Sequence, residues 1–439
     1  MKLVKRLIQP THILPLAIYR MVFGFLMAGS LVRFMLKGWV EACFLEPEFH
    51  FTYQYFDWIQ PLDSSLGMYA LVGLCAFFAL CIGVGFIYRI ASVSFFIMFT
   101  YLELIEQSWY LNHYYFVSIV AFLLCFVPAN KNYSLDAKWI VSLRSSTVPF
   151  WSIFILKLQI SIVYFFAGIT KLKPDWLLEA LPLKIWLQTK TDLPLIGSLF
   201  QYETTAYIFS YSGLIYDLLI PFLLWNKRTR PFAFIAVLIF HSMTALLFNI
   251  GMFPWIMIAG SLIFITTDEW SWALKKINVK LKITSVKKKI KIKNFGLFFF
   301  LVFFSLQVYL PIRHNFYSEN VLWTERNYRF SWNVMLMEKS GHADFTIKDR
   351  STGKQWKEYP KDHLTNIQEK QMSFQPDMIW QYAKFLKEKY QKLGCRNIEI
   401  FTDAYVTLNG RPSRQFLPKD LNLTSIERDK IYNFILREK

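Results

Sequence analysis

The residues of this chain that ask for a chemical reason are polar ones set into apolar surroundings. Lys171 closes the run QISIVYFFAGITKLKPDW, His241 sits inside AFIAVLIFHSMTALLFNIG, and Asn112 and His113 lie together in SWYLNHYYF. An ionisable group at membrane depth costs on the order of 3 kcal/mol on insertion scales, so each needs a partner or a task. A lysine in apolar surroundings, here Phe165, Phe166 and Ala167, can work as a neutral amine that accepts a proton. The same position also suits a lysine that snorkels from a helix end. Asn112 and His113 suit an interfacial helix cap as well as a site, and His241 suits a hydrogen bond between helices. Glu103, Glu106 and Asp217 are further acids at depth, which either pair with a basic neighbour such as Arg33 or act in chemistry.

The elements that must position these residues are membrane helices. The 439 residues are 54% hydrophobic and only 18% charged, with a mean hydropathy of +0.29. Those values exclude an ordinary soluble enzyme. Apolar runs of about 20 residues, enough to cross a bilayer, fall at 14–36, 67–88, 90–108, 113–128, 150–170, 205–225, 231–250, 252–268 and 295–312. The fourth and eighth are short, and Gly251 with Pro254 predicts a break, so the expectation is eight to nine transmembrane helices.

Charge sets an orientation. The chain carries 49 Lys and Arg against 31 Asp and Glu, and nine of the lysines fall between positions 275 and 293. Flanked by apolar runs, that stretch reads as a cytoplasmic positive-inside loop, and nucleic acid is excluded as a partner. With the N-terminus inside, nine crossings place every basic short loop on the cytoplasmic side. They send the polar tail, with Asn112, His113 and Lys171, to the outer side. The N-terminal apolar run lacks a small-residue cleavage signature and reads as an uncleaved first span. Five cysteines without CxxC spacing indicate neither a zinc site nor a disulfide framework.

The tail alternates apolar and polar residues in HADFTIKDRSTGKQWKEY and NIEIFTDAYVTLNGRP, where Asn409-Gly410 predicts a hairpin turn. Between them DMIWQYAKFLKEKYQKLG has helical spacing and stops at Gly394. The fold expected is a polytopic α-helical membrane protein, residues 1–313, followed by a small α+β extramembrane domain, residues 314–439. Polar groups roofed by that domain predict a pocket in the outer half of the bilayer for a lipidic ligand.

The run QISIVYFFAGITKLKPDW resembles the span of vitamin K-dependent gamma-glutamyl carboxylases that ends in the catalytic lysine. It is joined, in order, by YRIASVSFFIMFTYLELIEQSWYLNHYYF, VPANKNYSLDA, IYDLLIPFLLW, IFHSMTALLFNIGMFPWIMIAG and WTERNYRFSWNVML. The resemblance runs from about Arg20 to Pro418 and extends to the horizontally transferred transmembrane domain proteins.

It implies a reaction in which a lysine deprotonates reduced vitamin K and oxygen adds. The strongly basic alkoxide so formed takes a γ-proton from a glutamate, which captures carbon dioxide, and vitamin K leaves as the epoxide. By motif the base falls on Lys171, the catalytic histidine on His113 and the quinone-contacting asparagine on Asn112. A further site histidine falls on His241, and an aromatic cluster on Trp323, Tyr328, Ser331 and Trp332. Cofactor and co-substrates would be a menaquinol-like hydroquinone, O2 and CO2. The partners would be the lipid bilayer and a glutamate-containing protein, in a bacterial inner membrane with the C-terminal domain periplasmic.

Departures from the animal pattern accompany the resemblance. Thr170 stands where animal carboxylases carry a second lysine, and Met337 replaces a histidine. The animal disulfide has no counterpart, its two regions reading YFDWIQPL and, at Phe385, WQYAKFL. The chain also ends soon after the strand region, so the residues shared are those of the quinone half of the reaction. A different class remains open beside the enzyme, a transport-type or non-catalytic membrane protein that binds a lipid or quinone.

Overall fold

A computed structural model of the chain describes residues 2–276 and 294–438. Most of the nine-lysine stretch, 277–293, lies outside the described residues. Among the described residues nine apolar helices follow one another: α1 (Leu14–Leu36), α2 (Ser65–Val84), α3 (Tyr88–Ile105), α4 (Asn112–Phe126), α5 (Trp151–Thr170), α6 (Glu203–Trp225), α7 (Arg230–Leu247), α8 (Phe253–Ser261) and α9 (Asn294–Ile312). Six of them, α1, α2, α3, α5, α6 and α7, are long and apolar enough to cross a membrane. The shorter α4 and α8 fall where the sequence predicts the short fourth and eighth spans. The break between α7 and α8 is at Gly251, whose φ of 60° is left-handed, and Pro254 opens α8.

Helices α6 and α7 turn a face rich in polar or small residues inward and large apolar residues outward. In α6, Ser210, Asp217 and Leu224 are buried while Ile208, Ile215 and Phe222 are exposed, so both faces repeat every two turns. In α7 the buried face is Ala233, Val237, His241 and Thr244, against exposed Phe232, Ile239 and Leu246. Glycine allows the closest approaches. A Cβ on Gly24 of α1 would lie 2.2 Å from the Gly83 nitrogen of α2, and one on Gly168 of α5 would lie 2.7 Å from Cδ2 of Leu218 in α6. At the opposite end from Lys171, buried Arg20 donates to the carbonyls of Ile82, Gly83 and Tyr133 at 2.6–2.7 Å. Beside it Asp136 accepts from the first backbone N–H groups of α3, at Ile87 (2.7 Å) and Tyr88 (3.0 Å).

Strands β1 (Pro10–His12) and β2 (Thr147–Pro149) pair antiparallel ahead of α1 and α5. The tail forms one antiparallel sheet of β3 (Lys339–Asp349), β4 (Gln355–Glu358), β5 (Ile398–Leu408) and β6 (Arg414–Gln415), in the order β4-β3-β5-β6. Asn409 and Gly410 both take positive φ, as the Asn-Gly pair predicts. The apolar face of the sheet is covered by α11 (Pro376–Lys392), where Phe345 meets Tyr382 edge-on at 4.9 Å, and α10 (Asn366–Met372) precedes it. The stretch ahead of YFDWIQPL, residues 49–52, packs against WQYAKFL. The Thr52 N–H donates to Gln381 at 2.8 Å, and the Phe49 ring lies 4.9 Å from Phe385.

Candidate functional site

Lys171 is the C-cap of α5. Its Nζ donates to Asp217 Oδ2 at 2.7 Å and to the Ala167 carbonyl at 3.2 Å, and lies 5.2 Å from the Trp176 ring centre. Both charged side chains are under one-tenth exposed. Asp217 reaches the lysine because Gly168 lets α6 approach α5. Two expectations are corrected here. Phe165 does not wall the amine, being 38% exposed on the outer face of α5. Asp217 does not pair with Arg33, whose guanidinium lies 5.0 Å from the Trp39 ring centre. The other two acids make no ion pair among the described residues: Glu103 accepts from Ser118 at 2.6 Å, and Glu106 accepts from Gln368 and two backbone N–H groups.

The Lys171–Asp217 pair lines a small, mostly apolar cavity of about 70 Å³ with Tyr164, Trp176, His241 and Phe253. Tyr164 shares a 2.8 Å hydrogen bond with His241 Nε2. His241 Nδ1 is buried without a partner, a polar atom that a bound ligand would satisfy. A second cavity of about 330 Å³ holds Asn112 and His113, and both cavities are lined by Phe253, Val334 and Met335. The Phe253 ring stands between the two histidines, 6.1 Å from His113 and 5.8 Å from His241. Five residues that the sequence singles out, Lys171, Asp217, His241, Asn112 and His113, therefore gather around two adjoining cavities. This donor set, hydrophobic walls with a few converging polar atoms, fits a ring with polar oxygens.

The segment after α9 forms the partition. Asn112 Nδ2 donates to the Asn333 carbonyl at 3.3 Å, and the Tyr328 hydroxyl donates to the same oxygen at 3.0 Å. Trp332 stacks on Tyr115 at 5.0 Å, and the Thr170 hydroxyl donates to its carbonyl at 3.3 Å. Tyr328 and Trp332 thus brace the residues that line the cavities. Trp323 and Ser331 line neither cavity. Trp323 packs edge-on against Phe416 and donates to the Leu436 carbonyl; Ser331 donates to the carbonyls of Leu310 and Asn327.

Just beyond the helix end, Lys173 donates to Asn333 Oδ1 at 3.1 Å. Burial pushes its amine down to about 8, with Asp175 pulling the other way. The tail grips the loop before α4 through Gln107, which donates to Asp377 at 2.7 Å, and Arg329 donates to the same carboxylate at 2.9 Å. Burial opposes ionisation of Asp377, but Arg329 and Arg428 outweigh it and hold the group below the usual carboxylate range.

Sequence reasoning did not single out Tyr164, Phe253, Asn333 or Lys173. Tyr164 carried a usable signal, since it precedes Lys171 by seven residues, two turns of one helix, and so shares its face. Asn333 and Phe253 carried none, because their roles depend on contacts with distant elements.

The HTTM domain family matches residues 8–270, and the vitamin K-dependent gamma-carboxylase, lumenal domain, matches residues 292–437. No solved structure matches the chain.

Proposed function

Because the chain belongs to the HTTM domain family and continues into a vitamin K-dependent gamma-carboxylase lumenal domain, we propose that it oxidises reduced vitamin K, a menaquinol-like hydroquinone, to the epoxide. Carboxylation of a protein glutamate is the coupled half-reaction we assign to it, which makes it a carbon-carbon lyase. The observation that carries this reading is the buried Lys171–Asp217 pair opening on an apolar cavity, beside a second cavity with Asn112 and His113. When bound, the hydroquinone supplies through its oxidation by O2 the base that removes a glutamate γ-proton.

The protein's own part is proton handling, orientation and exclusion of water. Lys171 must offer a lone pair to a hydroquinone hydroxyl. Transfer of one proton across the 2.7 Å contact to Asp217 turns the ion pair into a neutral amine and a carboxylic acid. The net charge of the cavity does not change, so the amine is freed without the cost of an isolated buried charge. His241, held by Tyr164, presents its unpartnered Nδ1 to the ligand ring. Asn112, fixed at both ends of its amide by Tyr110 and the Asn333 carbonyl, sets ring orientation, and His113 stands across Phe253 as the second proton-handling group. With the ligand seated, the apolar walls exclude water, which would quench a strong base.

In this reading residues 1–313 form the catalytic membrane region and 314–439 a periplasmic domain that fixes the loop leading into Asn112 and His113. The membrane is a bacterial inner membrane with the N-terminus cytoplasmic. The test is a single assay with purified protein, reduced vitamin K, O2, labelled bicarbonate and a glutamate peptide. Epoxide is expected, with carboxyglutamate where the coupling holds; absence of both products refutes the reading.

A further inference from the structure

On the far side of the Trp332 wall lies a third cavity, about 350 Å³, between α3, α4, α9 and the segment before α2. Aromatic rings dominate its lining, among them Phe96, Tyr115 and Phe330, and exposed Phe56 marks its rim. Three of its lining residues also carry a polar atom that the fold leaves unsatisfied. The Tyr53 hydroxyl, Thr100 Oγ1 and Glu103 Oε1 are all buried with no hydrogen-bond partner, and all three residues line this one groove. An unmade hydrogen bond at such depth costs about 1–3 kcal/mol, so three in one groove are a built feature.

The chemistry of the lining selects an occupant. No lysine or arginine lines the groove, so nothing there recognises a phosphate headgroup. Two hydroxyls can donate to a ring carbonyl, a carboxylate oxygen can accept from a ring hydroxyl, and aromatic walls suit a planar ring. Helix α4 supplies residues to both spaces, Asn112 and His113 to one cavity and Tyr115 and Ser118 to the groove. Tyr115 meets Phe330 at 4.8 Å and stacks on Trp332 at 5.0 Å. Phe330 and Trp332 both hold left-handed backbone, with φ of 64° and 55°, a strained conformation for bulky residues that is kept only where the surroundings enforce it.

We propose that this groove is a second binding site for a prenylated quinol or quinone, an exchange site from which the reduced ring passes to the Lys171 cavity and to which the spent ring returns. The proposal rests on the quinol-oxidising reading above. Glu103 makes the groove prefer the reduced form, because only that form offers a hydroxyl to the carboxylate.

The test uses the full-length protein in phosphatidylcholine vesicles with a photoreactive azidonaphthoquinol, followed by mass spectrometry of the labelled peptides. Label is expected on the peptides carrying Tyr53 and Thr100 in wild type and equally in Lys171→Ala. The double variant Tyr53→Phe/Thr100→Val, which removes only two oxygens' hydrogen bonding, should lose that label and raise the quinol KM about threefold to tenfold with kcat unchanged. Glu103→Gln should weaken retention of the quinol relative to the quinone. Label confined to the Lys171 cavity, or spread evenly over lipid-facing residues such as Ile97, overturns the exchange site and leaves the quinol chemistry standing. Label at neither cavity overturns both.

Discussion

Among the described residues are two buried lysine–carboxylate pairs that are nearly the same in isolation and differ in what they face. Lys171 meets Asp217 at 2.7 Å in the helical region, and Lys339 meets Glu325 at 2.9 Å in the tail. Each lysine also donates to a carbonyl, of Ala167 and of Trp323 respectively, and each lies beside aromatic rings. The Lys171 pair lines a cavity with further polar side chains, Tyr164, His241 and Thr244. The Lys339 pair is closed in by Phe374 and Phe416 and joins the tail to the segment that carries Trp323. Burial and pairing are therefore common to both lysines; open space beside the pair is what sets Lys171 apart.

The comparison is broken most severely at the lysines themselves. Lys171→Ala should lower the rate of epoxide formation by about a hundredfold to ten-thousandfold, the range for loss of a proton-transfer group. The variant should still fold, because the cavity lets water solvate the stranded Asp217. Lys339→Met should leave Glu325 buried without its partner and cost about 3–5 kcal/mol of stability. Replacing both partners, Lys339→Met with Glu325→Leu, should recover most of that loss, since no charge is left buried. Epoxide formation and unfolding midpoints of the purified variants test both halves. If Lys171→Ala loses as much stability as Lys339→Met, the two pairs are equivalent and the contrast falls.

Much of this was readable in the sequence. The positions of the helices were, because a bilayer demands about 20 apolar residues, and the Asn409-Gly410 turn and the helix before Gly394 have local signals. Lys171 and His241 stood out because an ionisable group in an apolar run is anomalous, whereas Lys339 did not, since lysines are ordinary in a polar stretch. The Lys171–Asp217 contact was not readable, because its partners lie 46 positions apart and meet only where Gly168 removes a side chain from between two helices. Resemblance was also blind to role. The stretch VPANKNYSLDA supplies Asp136, which caps α3 far from either cavity, while WTERNYRFSWNVML mixes cavity-bracing residues with Trp323, which packs in the tail.

A smaller effect sharpens what the cavity adds to the Lys171 pair. Tyr164→Phe keeps the ring and removes the hydrogen bond to His241, leaving both ring nitrogens of the histidine without a protein partner. The loss of about 0.5–1.5 kcal/mol per hydrogen bond should appear as a twofold to tenfold fall in kcat, with little change in unfolding midpoint. An unchanged kcat would mean that His241 needs no fixed orientation.

A last contrast distinguishes the two regions by their response to pH. Lys173, at the edge of the site, has its amine pushed down to about 8 by burial despite Asp175, and burial also lowers Lys339, with Glu325 opposing. The sign follows from proton counts. Between pH 8 and the ordinary lysine range near 10.4, the unfolded chain keeps a proton on residue 173 that the folded chain has released. The unfolded state then binds more protons, so stability rises with pH across that window. Below pH 8 both states are protonated and the contribution is flat. Unfolding midpoints in detergent from pH 7 to 10 should therefore climb in wild type, and Lys173→Met should remove part of the climb while leaving the part due to Lys339. If the Lys173→Met slope matches wild type, Lys173 is as well solvated in the folded protein as in the unfolded chain, and its hydrogen bond to Asn333 does not bury it.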